Sequence, residues 1–387
     1  MKLNNDLVTK VHDADHVFTE INGHPDLWRD TYETVLANKD EIYNFLREIY
    51  NKENLQIILT GAGSSAFIGE ILQQPFYKNT GISTKAIPTT DLVTHPEGYF
   101  QKTTPTLLVS FARSGDSPES IATFELAEKL HDAIYHLIIT CNPEGGLAKT
   151  ALNRKNSFIF SLPDKANDLA LAMTGSFTSM VLAGLLISDI KNVGKNEETL
   201  KRLIDFGNTI LKKYNLKLSE IAELDFKRVV FLGSGVLKGA AKESHLKVLE
   251  LTDGQIICQY DSFLGFRHGP RAVIDKSTLL IYLFSKDPYV YKYEIDLVRS
   301  INSNENFLFS IGIGQCLNEL ENLDLNLTID LCYGGNKISD DFFTVCSVMP
   351  AQILGYYKSL FLGLTPDSPS QNGGISRIVQ GVNIYPY

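Results

Sequence analysis

The apolar positions of this chain fall into two patterns. Short unbroken runs, at Gln56–Thr60, Thr106–Phe111 and His136–Thr140, are separated by longer stretches such as Pro118–His131, in which apolar residues recur at helical spacing. Runs of the first kind belong to parallel strands buried on both faces, with the second kind covering them as helices. Ahead of them, residues 1 to about 45 read as helices. Trp28, Tyr32, Val35 and Leu36 share a helical spacing, Thr19 and Asp26 are placed to cap, and Pro25 marks a boundary. The longest uncharged run, Leu169–Ile187, carries Thr174, Gly175, Ser176, Thr178 and Ser179 in its middle, which suits a helix buried in a large core and not a membrane span.

The strand pattern then returns. Ile57–Gly63 (IILTGAG) matches Val229–Gly235 (VVFLGSG) at an offset of 172, and Leu107-Leu108-Val109 matches Leu279-Leu280-Ile281 at the same offset. Two unrelated strands sharing one offset predict a duplicated α/β domain. The expected organisation is an N-terminal helical segment (1–45), a first domain (46–197), a second domain (215–364) and a Pro/Ser/Gly tail (365–387). The polar stretch Lys191–Glu198 and the charged helix after it serve as linker, and a helical wrap at Asp341–Leu362 closes the second domain.

Composition narrows the class. The 387 residues are 44% hydrophobic and 21% charged, which supplies large cores and excludes a mainly disordered chain. Thirty-six Lys and Arg against 45 Asp and Glu leave a net charge of −9 without a basic stripe, so a nucleic-acid partner is not expected. The five scattered cysteines, Cys141, Cys258, Cys316, Cys332 and Cys346, include no C-x-x-C pair and read as reduced and cytosolic, neither zinc-bound nor disulfide-linked. Met1–Lys10 lacks the apolar stretch of a signal peptide, and export is not expected.

Candidate chemistry lies where strands end. Strand Gln56–Thr60 runs into Gly61-Ala62-Gly63-Ser64-Ser65-Ala66 and a helical stretch, a loop whose N–H groups and helix N-terminus favour an anion. The same residues fit the dinucleotide fingerprint, but Ile82–Pro88 lacks the acidic residue that would hold a ribose, which weakens a nicotinamide reading. After Thr106–Phe111 comes Arg113-Ser114-Gly115-Asp116-Ser117-Pro118. Two hydroxyls three apart, a glycine and an arginine at a helix start suit a phosphate monoester, although Ser117 and Pro118 also satisfy a plain N-cap and first helical position. The second repeat keeps Gly233-Ser234-Gly235 but has Phe284-Ser285-Lys286-Asp287-Pro288 in place of the serine-rich loop, and phosphate binding is expected to be lost there.

What the second repeat offers instead is a helix, Gly239–Thr252, with Glu243, Lys247 and Glu250 on one face. Spacing alone favours a solvent-exposed Glu–Lys pair worth about 0.2–0.5 kcal/mol, while an acid beside a lysine also serves proton transfer. His268, between Arg267 and Gly269-Pro270, sits on an irregular turn, and histidine is the residue type suited to moving protons near neutral pH. The remaining histidines carry no such context. His12 and His16, with Asp13 and Asp15 between them, have metal-ligand spacing but lie in a polar terminal segment and read as a solvated face, and His131, His136 and His245 lack convergent partners in sequence.

Taken together, Gly61–Ala66, Arg113–Ser117, Gly233–Glu250 and Arg267-His268-Gly269-Pro270 resemble the paired sugar isomerase (SIS) domains of glucosamine-6-phosphate synthase. The segment Asp261–Arg271 (DSFLGFRHGPR) and the ending Val379–Pro386 (VQGVNIYP) resemble more narrowly the tagatose-6-phosphate ketose/aldose isomerase family, also described as galactosamine-6-phosphate deaminase/isomerase. The resemblance implies two tandem SIS domains, each a parallel sheet flanked by helices. It also implies a phosphorylated amino sugar as substrate, no metal or other cofactor, no membrane partner, and a homodimer or larger homo-oligomer with shared sites. Phosphate would be held by Gly63, Ser64, Ser65, Arg113, Ser114, Gly115 and Ser117. Glu250 would move a proton between C1 and C2, with Glu243 and Lys247 beside it, and His268 of a neighbouring subunit would assist ring opening. No glutaminase segment with a Cys nucleophile is recognised, so ammonia would not be drawn from glutamine. A plain aldose/ketose isomerase and a non-catalytic sugar-phosphate sensor remain as alternatives.

Overall fold

The computed structural model describes residues 15–304, 306–317, 323–332, 337–379 and 381–387. The signal-peptide reading of Met1–Lys10, and His12 and Asp13 of the metal-spacing pattern, lie outside the described residues. The chain divides into two compact units. One consists of Asp26–Asp168, Gly175–Leu200 and Ile375–Tyr387, and the other of residues up to Pro25, Leu169–Thr174 and Lys201–Gly374.

Three helices precede the first sheet: α1 (His16–Asn22), α2 (His24–Ala37) and α3 (Lys39–Tyr50). Both helix starts fall earlier than the expected caps. Thr19 is inside α1, its hydroxyl bonded back to the Asp15 carbonyl, and Asp26 stands in the first turn of α2, paired with Arg29 at 2.9 Å. The first sheet then alternates strand and helix: β1 (Gln56–Thr60), α4 (Ser64–Thr80), β2 (Ser83–Ala86), α5 (Thr89–Thr94), β3 (Thr106–Ala112), α6 (Pro118–Leu130), β4 (Ile134–Thr140), α7 (Gly146–Ala151) and β5 (Ser157–Ser161). All pairs are parallel, in the order β2-β1-β3-β4-β5. The three apolar runs are its central strands, and β3 is buried along its whole length. The uncharged run becomes α8 (Gly175–Ser188), every residue of which is buried, with Thr178 accepting a hydrogen bond from the Trp28 indole at 3.0 Å.

The second unit holds α9 from Lys201 onward (α9 spans Glu197–Thr209), α10 (Asn215–Ala222), β6 (Arg228–Gly233), α11 (Val236–Leu251), β7 (Ile257–Asp261), α12 (Phe263–Phe266), β8 (Thr278–Leu283), α13 (Pro288–Asn304), β9 (Phe309–Gly314), β10 (Leu327–Asp330), α14 (Asp340–Ser347) and α15 (Met349–Phe361). Its strand order, β7-β6-β8-β9-β10, repeats that of the first sheet. The duplication extends to torsion angles. Gly63 opens α4 at φ 57°, ψ −130°, and Gly235 opens α11 at φ 57°, ψ −127°. Two positions earlier there is no room for a side chain: a Cβ on Gly61 would lie 2.6 Å from the Ser65 backbone, and one on Gly233 would lie 2.3 Å from the Leu237 carbonyl oxygen.

The cysteine expectation needs correction, because Cys316 and Cys332 form a disulfide. Parallel register explains the pairing. Gly314 of β9 lies opposite Asp330 of β10, so the residues two positions beyond each meet, with Cα atoms 4.5 Å apart. Among the described residues no helix is long and apolar enough to cross a membrane.

The strand-to-helix approach yields a stability prediction. Gly61→Ala should cost about 1–3 kcal/mol by overpacking, whereas Gly98→Ala, whose Cβ meets nothing within 4 Å, should change stability by less than about 0.5 kcal/mol. Urea unfolding of the two variants beside the parent checks this, and equal midpoints would refute it.

Candidate active site

Strands β1 and β3 are neighbours at the point where the strand order reverses, which is where open parallel sheets bind ligands beyond their carboxyl ends. The two loops flagged in the first repeat lie there. Ser64 and Ser65 form the buried first turn of α4, and the backbone N–H of Ser65 donates to Ala62 O at 3.1 Å. In the β3–α6 loop, Ser114 Oγ accepts from Asp116 N at 3.2 Å and Gly115 takes φ 71°. Ser117 occupies the N-cap position with Pro118 after it, but its hydroxyl bonds Ser120 Oγ at 2.6 Å and leaves the helix backbone uncapped by that side chain. The loop is clamped from the neighbouring β4–α7 turn: Asn142 donates to Ser114 O (2.9 Å), Gly146 N to Asp116 (2.9 Å) and Leu147 N to Gly115 O (2.8 Å). A Cβ on Gly145 would strike Ser114 O at 2.2 Å, so this clamp closes only over glycine.

Arg113 is 7% exposed, and one of its guanidinium nitrogens donates to the carbonyl of Arg377 at 2.7 Å. Arg377 in turn donates to Asp168 O (2.9 and 2.7 Å) and to Asn167 Oδ1 (2.7 Å). Sequence reasoning did not single out Arg377, although it is the one basic residue between Thr365 and Tyr387. The end of the tail continues along α5 and α6. Lys129 Nζ meets the Tyr387 carbonyl, and a cavity of about 750 Å³ is lined there by Val93, Leu126, Ile384 and Tyr385 among others.

In the second unit, Glu243 and Lys247 are completely buried, contrary to the exposed pair that spacing favours. The reason is tertiary: α11 packs on β6 and β7 with one side and on α14 and α15 with the other. Lys247 Nζ lies 3.2 Å from Glu243 Oε1 and 2.6 Å from Glu250 Oε2, while the Glu250 side chain keeps 23% of its surface exposed. Burial works against the lysine's charge, but the two carboxylates outweigh it and hold its pKa above the ordinary value. The result is a dry cation between two acids, one enclosed and one reaching solvent.

His268 stands on a separate element, the exposed turn after α12, where Ser262 caps the helix by accepting from Gly265 N and Gly269 takes φ 127°. His136, in contrast, is buried in β4 with Nε2 3.0 Å from Glu128, and burial pulls its pKa down to about 4. It has a partner that sequence did not reveal, and its setting is structural.

Comparison with known proteins places this geometry. The SIS domain family model matches residues 48–188. The D-galactosamine-6-phosphate deaminase AgaS of Shewanella sp. (strain ANA-3) is 40% identical over 371 residues, covering 95% of this chain and 91% of that protein. This chain belongs to the AgaS family. A Clostridium novyi NT protein, solved as a candidate tagatose-6-phosphate ketose/aldose isomerase, superposes with a TM-score of 0.93 at 40% identity over 96% of this chain and 95% of that one. The tagatose-6-phosphate ketose/aldose isomerase of Escherichia coli gives 0.87 at 36% identity, covering 97% of each. The resemblance to tagatose-6-phosphate ketose/aldose isomerases and galactosamine-6-phosphate deaminases read from Asp261–Arg271 and the chain ending therefore holds across nearly the whole length.

The buried triad can be tested by its energetics. Lys247→Met leaves two carboxylates facing each other without a cation and should cost about 3–5 kcal/mol. Adding Glu243→Gln should recover part of that loss in chemical denaturation. A Lys247→Met protein unfolding at the parental midpoint would show that the ion pairs are not coupled to stability.

Proposed function

We propose that this AgaS-family chain is a deaminase/isomerase that converts galactosamine 6-phosphate and water into tagatose 6-phosphate and ammonia. The observation that carries the reading is the Glu250 carboxylate, partly open to solvent and held 2.6 Å from a fully buried lysine. The similarity to the Shewanella deaminase over 95% of the chain supports the substrate.

In this reading the 6-phosphate lies in the β1 and β3 loops. Ser64, Ser65, Ser114 and Ser117 supply hydroxyls, Gly63 and Gly115 allow close backbone approach, and Arg113 adds positive charge. His268 assists ring opening. Glu250 then takes the proton from C2 of the open-chain aldehyde to give an enolamine, with Lys247 and Glu243 fixing its position and charge. Returning a proton to C1 leaves an imine at C2, and water cleaves it to the ketone and ammonia. Every step is a proton transfer or a hydrolysis, so the sequence is redox-neutral. The exposed turn that carries His268 suits donation to the site of a second copy in a two-fold dimer. A charged sugar phosphate is retained inside cells, which supports a cytoplasmic setting.

A plain aldose/ketose isomerase uses the same residues without losing nitrogen, and the names of the solved Clostridium and Escherichia structures favour it as the second reading. Incubation with hexosamine and ketohexose 6-phosphates while ammonia is followed separates the two. Ammonia released from galactosamine 6-phosphate supports deamination, and interconversion of aldose and ketose phosphates without ammonia overturns it.

Glu250→Gln should lower turnover roughly 10²–10⁴-fold while substrate still binds, because the amide keeps the shape and cannot accept the proton. Solvent exchange at C2 should vanish with it, and near-parental exchange would assign the base elsewhere. The shared site has its own test. His268→Ala and Glu250→Gln proteins, each inactive alone, should regain about a quarter of parental activity after subunit exchange, since half the dimers are mixed and half of their sites are intact. Recovery of nothing, with exchange confirmed by mass, would place both residues in one chain's site.

A further inference from the structure

The second repeat reproduces the first repeat's strand order and the backbone angles of its glycine turn, and its β8–α13 loop keeps the same serine turn. Ser285 Oγ accepts from Asp287 N at 3.0 Å, as Ser114 Oγ accepts from Asp116 N at 3.2 Å. The donors of this loop are engaged by the chain itself. Glu294 of α13, completely buried, accepts from Ser285 N at 2.9 Å and from the Ser234 hydroxyl of the β6–α11 turn. Asp340, the first residue of α14, accepts from Ser285 Oγ at 2.5 Å and from Lys286 N at 3.1 Å. Two carboxylates thus converge on two hydroxyls and two backbone N–H groups drawn from the loops after β6 and β8, the strands that flank the switch point of the second sheet.

We propose that this is a complete oxyanion cradle kept closed from within, and that removing Glu294 and Asp340 opens it to inorganic phosphate or a phosphate ester. Three further observations support the inference. The first repeat carries no acid where Glu294 stands: counting from the proline that opens each helix, Glu294 corresponds to Phe124, an apolar ring that packs against His136. Burial pushes the Glu294 carboxyl up to about 7, the Ser234 and Ser285 hydrogen bonds oppose this, and the nearby Asp340 adds to it. Its Oε1 is buried without a hydrogen-bond partner, so the carboxyl leaves one oxygen of the cradle unsatisfied where one more donor would suit it. An anion with more oxygens than a carboxylate has a use for each of these groups. By filling the cradle itself, the chain holds the β8–α13 loop in its ligand-bound form and denies the substrate's phosphate a second, unproductive seat.

This inference rests on reading the first-repeat loops as the phosphate site, and the experiment separates the two. The full chain carrying Ser114→Ala and Ser117→Ala serves as background, and binding of labelled inorganic phosphate is measured by equilibrium dialysis. With both acids intact the background should bind none. Adding Glu294→Ala and Asp340→Ala should create one site per chain, and the melting temperature should rise with phosphate and not with chloride. Glu294→Gln with Asp340→Asn, which keeps the cradle filled, should create none. Phosphate bound by the background itself counts against the first-repeat reading alone, since the cradle is judged on the increment from removing the acids. A folded double-Ala variant with no increment overturns the proposal. If that variant does not fold in chloride, the single variants Glu294→Ala and Asp340→Ala are refolded in phosphate and in chloride. Selective recovery in phosphate supports the cradle, and equal failure in both salts overturns it.

Discussion

The constraint on which the architecture rests is steric: at Gly61 and at Gly233, a strand end and the first turn of the following helix come closer than any side chain allows. With the left-handed turns at Gly63 and Gly235, this sets how α4 and α11 leave their sheets. Everything carried by those helices inherits the geometry. Ser64 and Ser65 are delivered to the switch point of the first sheet, and Glu243, Lys247 and Glu250 are carried into the packed face of the second unit. One backbone solution used twice therefore carries two different residue sets, a buried pair of serines in one repeat and a charged triad in the other.

The triad illustrates why burial and not spacing decides what charged residues do. Three ionisable groups on one helix face are worth a few tenths of a kcal/mol in water. Between a sheet and two helices the same groups become interdependent, because each carboxylate would be costly without the lysine and the lysine without them. The cation is thereby locked in its charged form, and the one acid with solvent access meets a fixed positive charge. That asymmetry between Glu243 and Glu250 separates a supporting residue from a candidate base.

Much of this was legible in sequence wherever a pattern was local. The central strands β1, β3 and β4 were readable as unbroken apolar runs, and the repeat was readable because two strands shared one offset. The strands β2 and β5 were not among the unbroken apolar runs, because edge strands are half exposed and Ser83–Ala86 (STKA) is largely polar, although Ile82–Pro88 stands where the next strand was expected. What escaped was non-local. The Cys316–Cys332 bond follows from the register of β9 against β10, which no cysteine spacing encodes. The burial of α11 depends on α14 and α15, about a hundred residues later in the chain. Likewise, the partners of Ser285 were hidden because Glu294 and Asp340 have no motif of their own.

The tail carries a consequence for how the protein is made. The unit that contains the first sheet is assembled from stretches at both ends of the chain, and Arg113 meets a partner 264 residues downstream. During synthesis from the N-terminus, the sheet and its serine loops emerge long before Arg377 and Tyr387 exist. The second sheet is translated in the interval. The first loop cluster therefore acquires this tether only after the second sheet has been translated, so its maturation waits on a domain to which it does not belong.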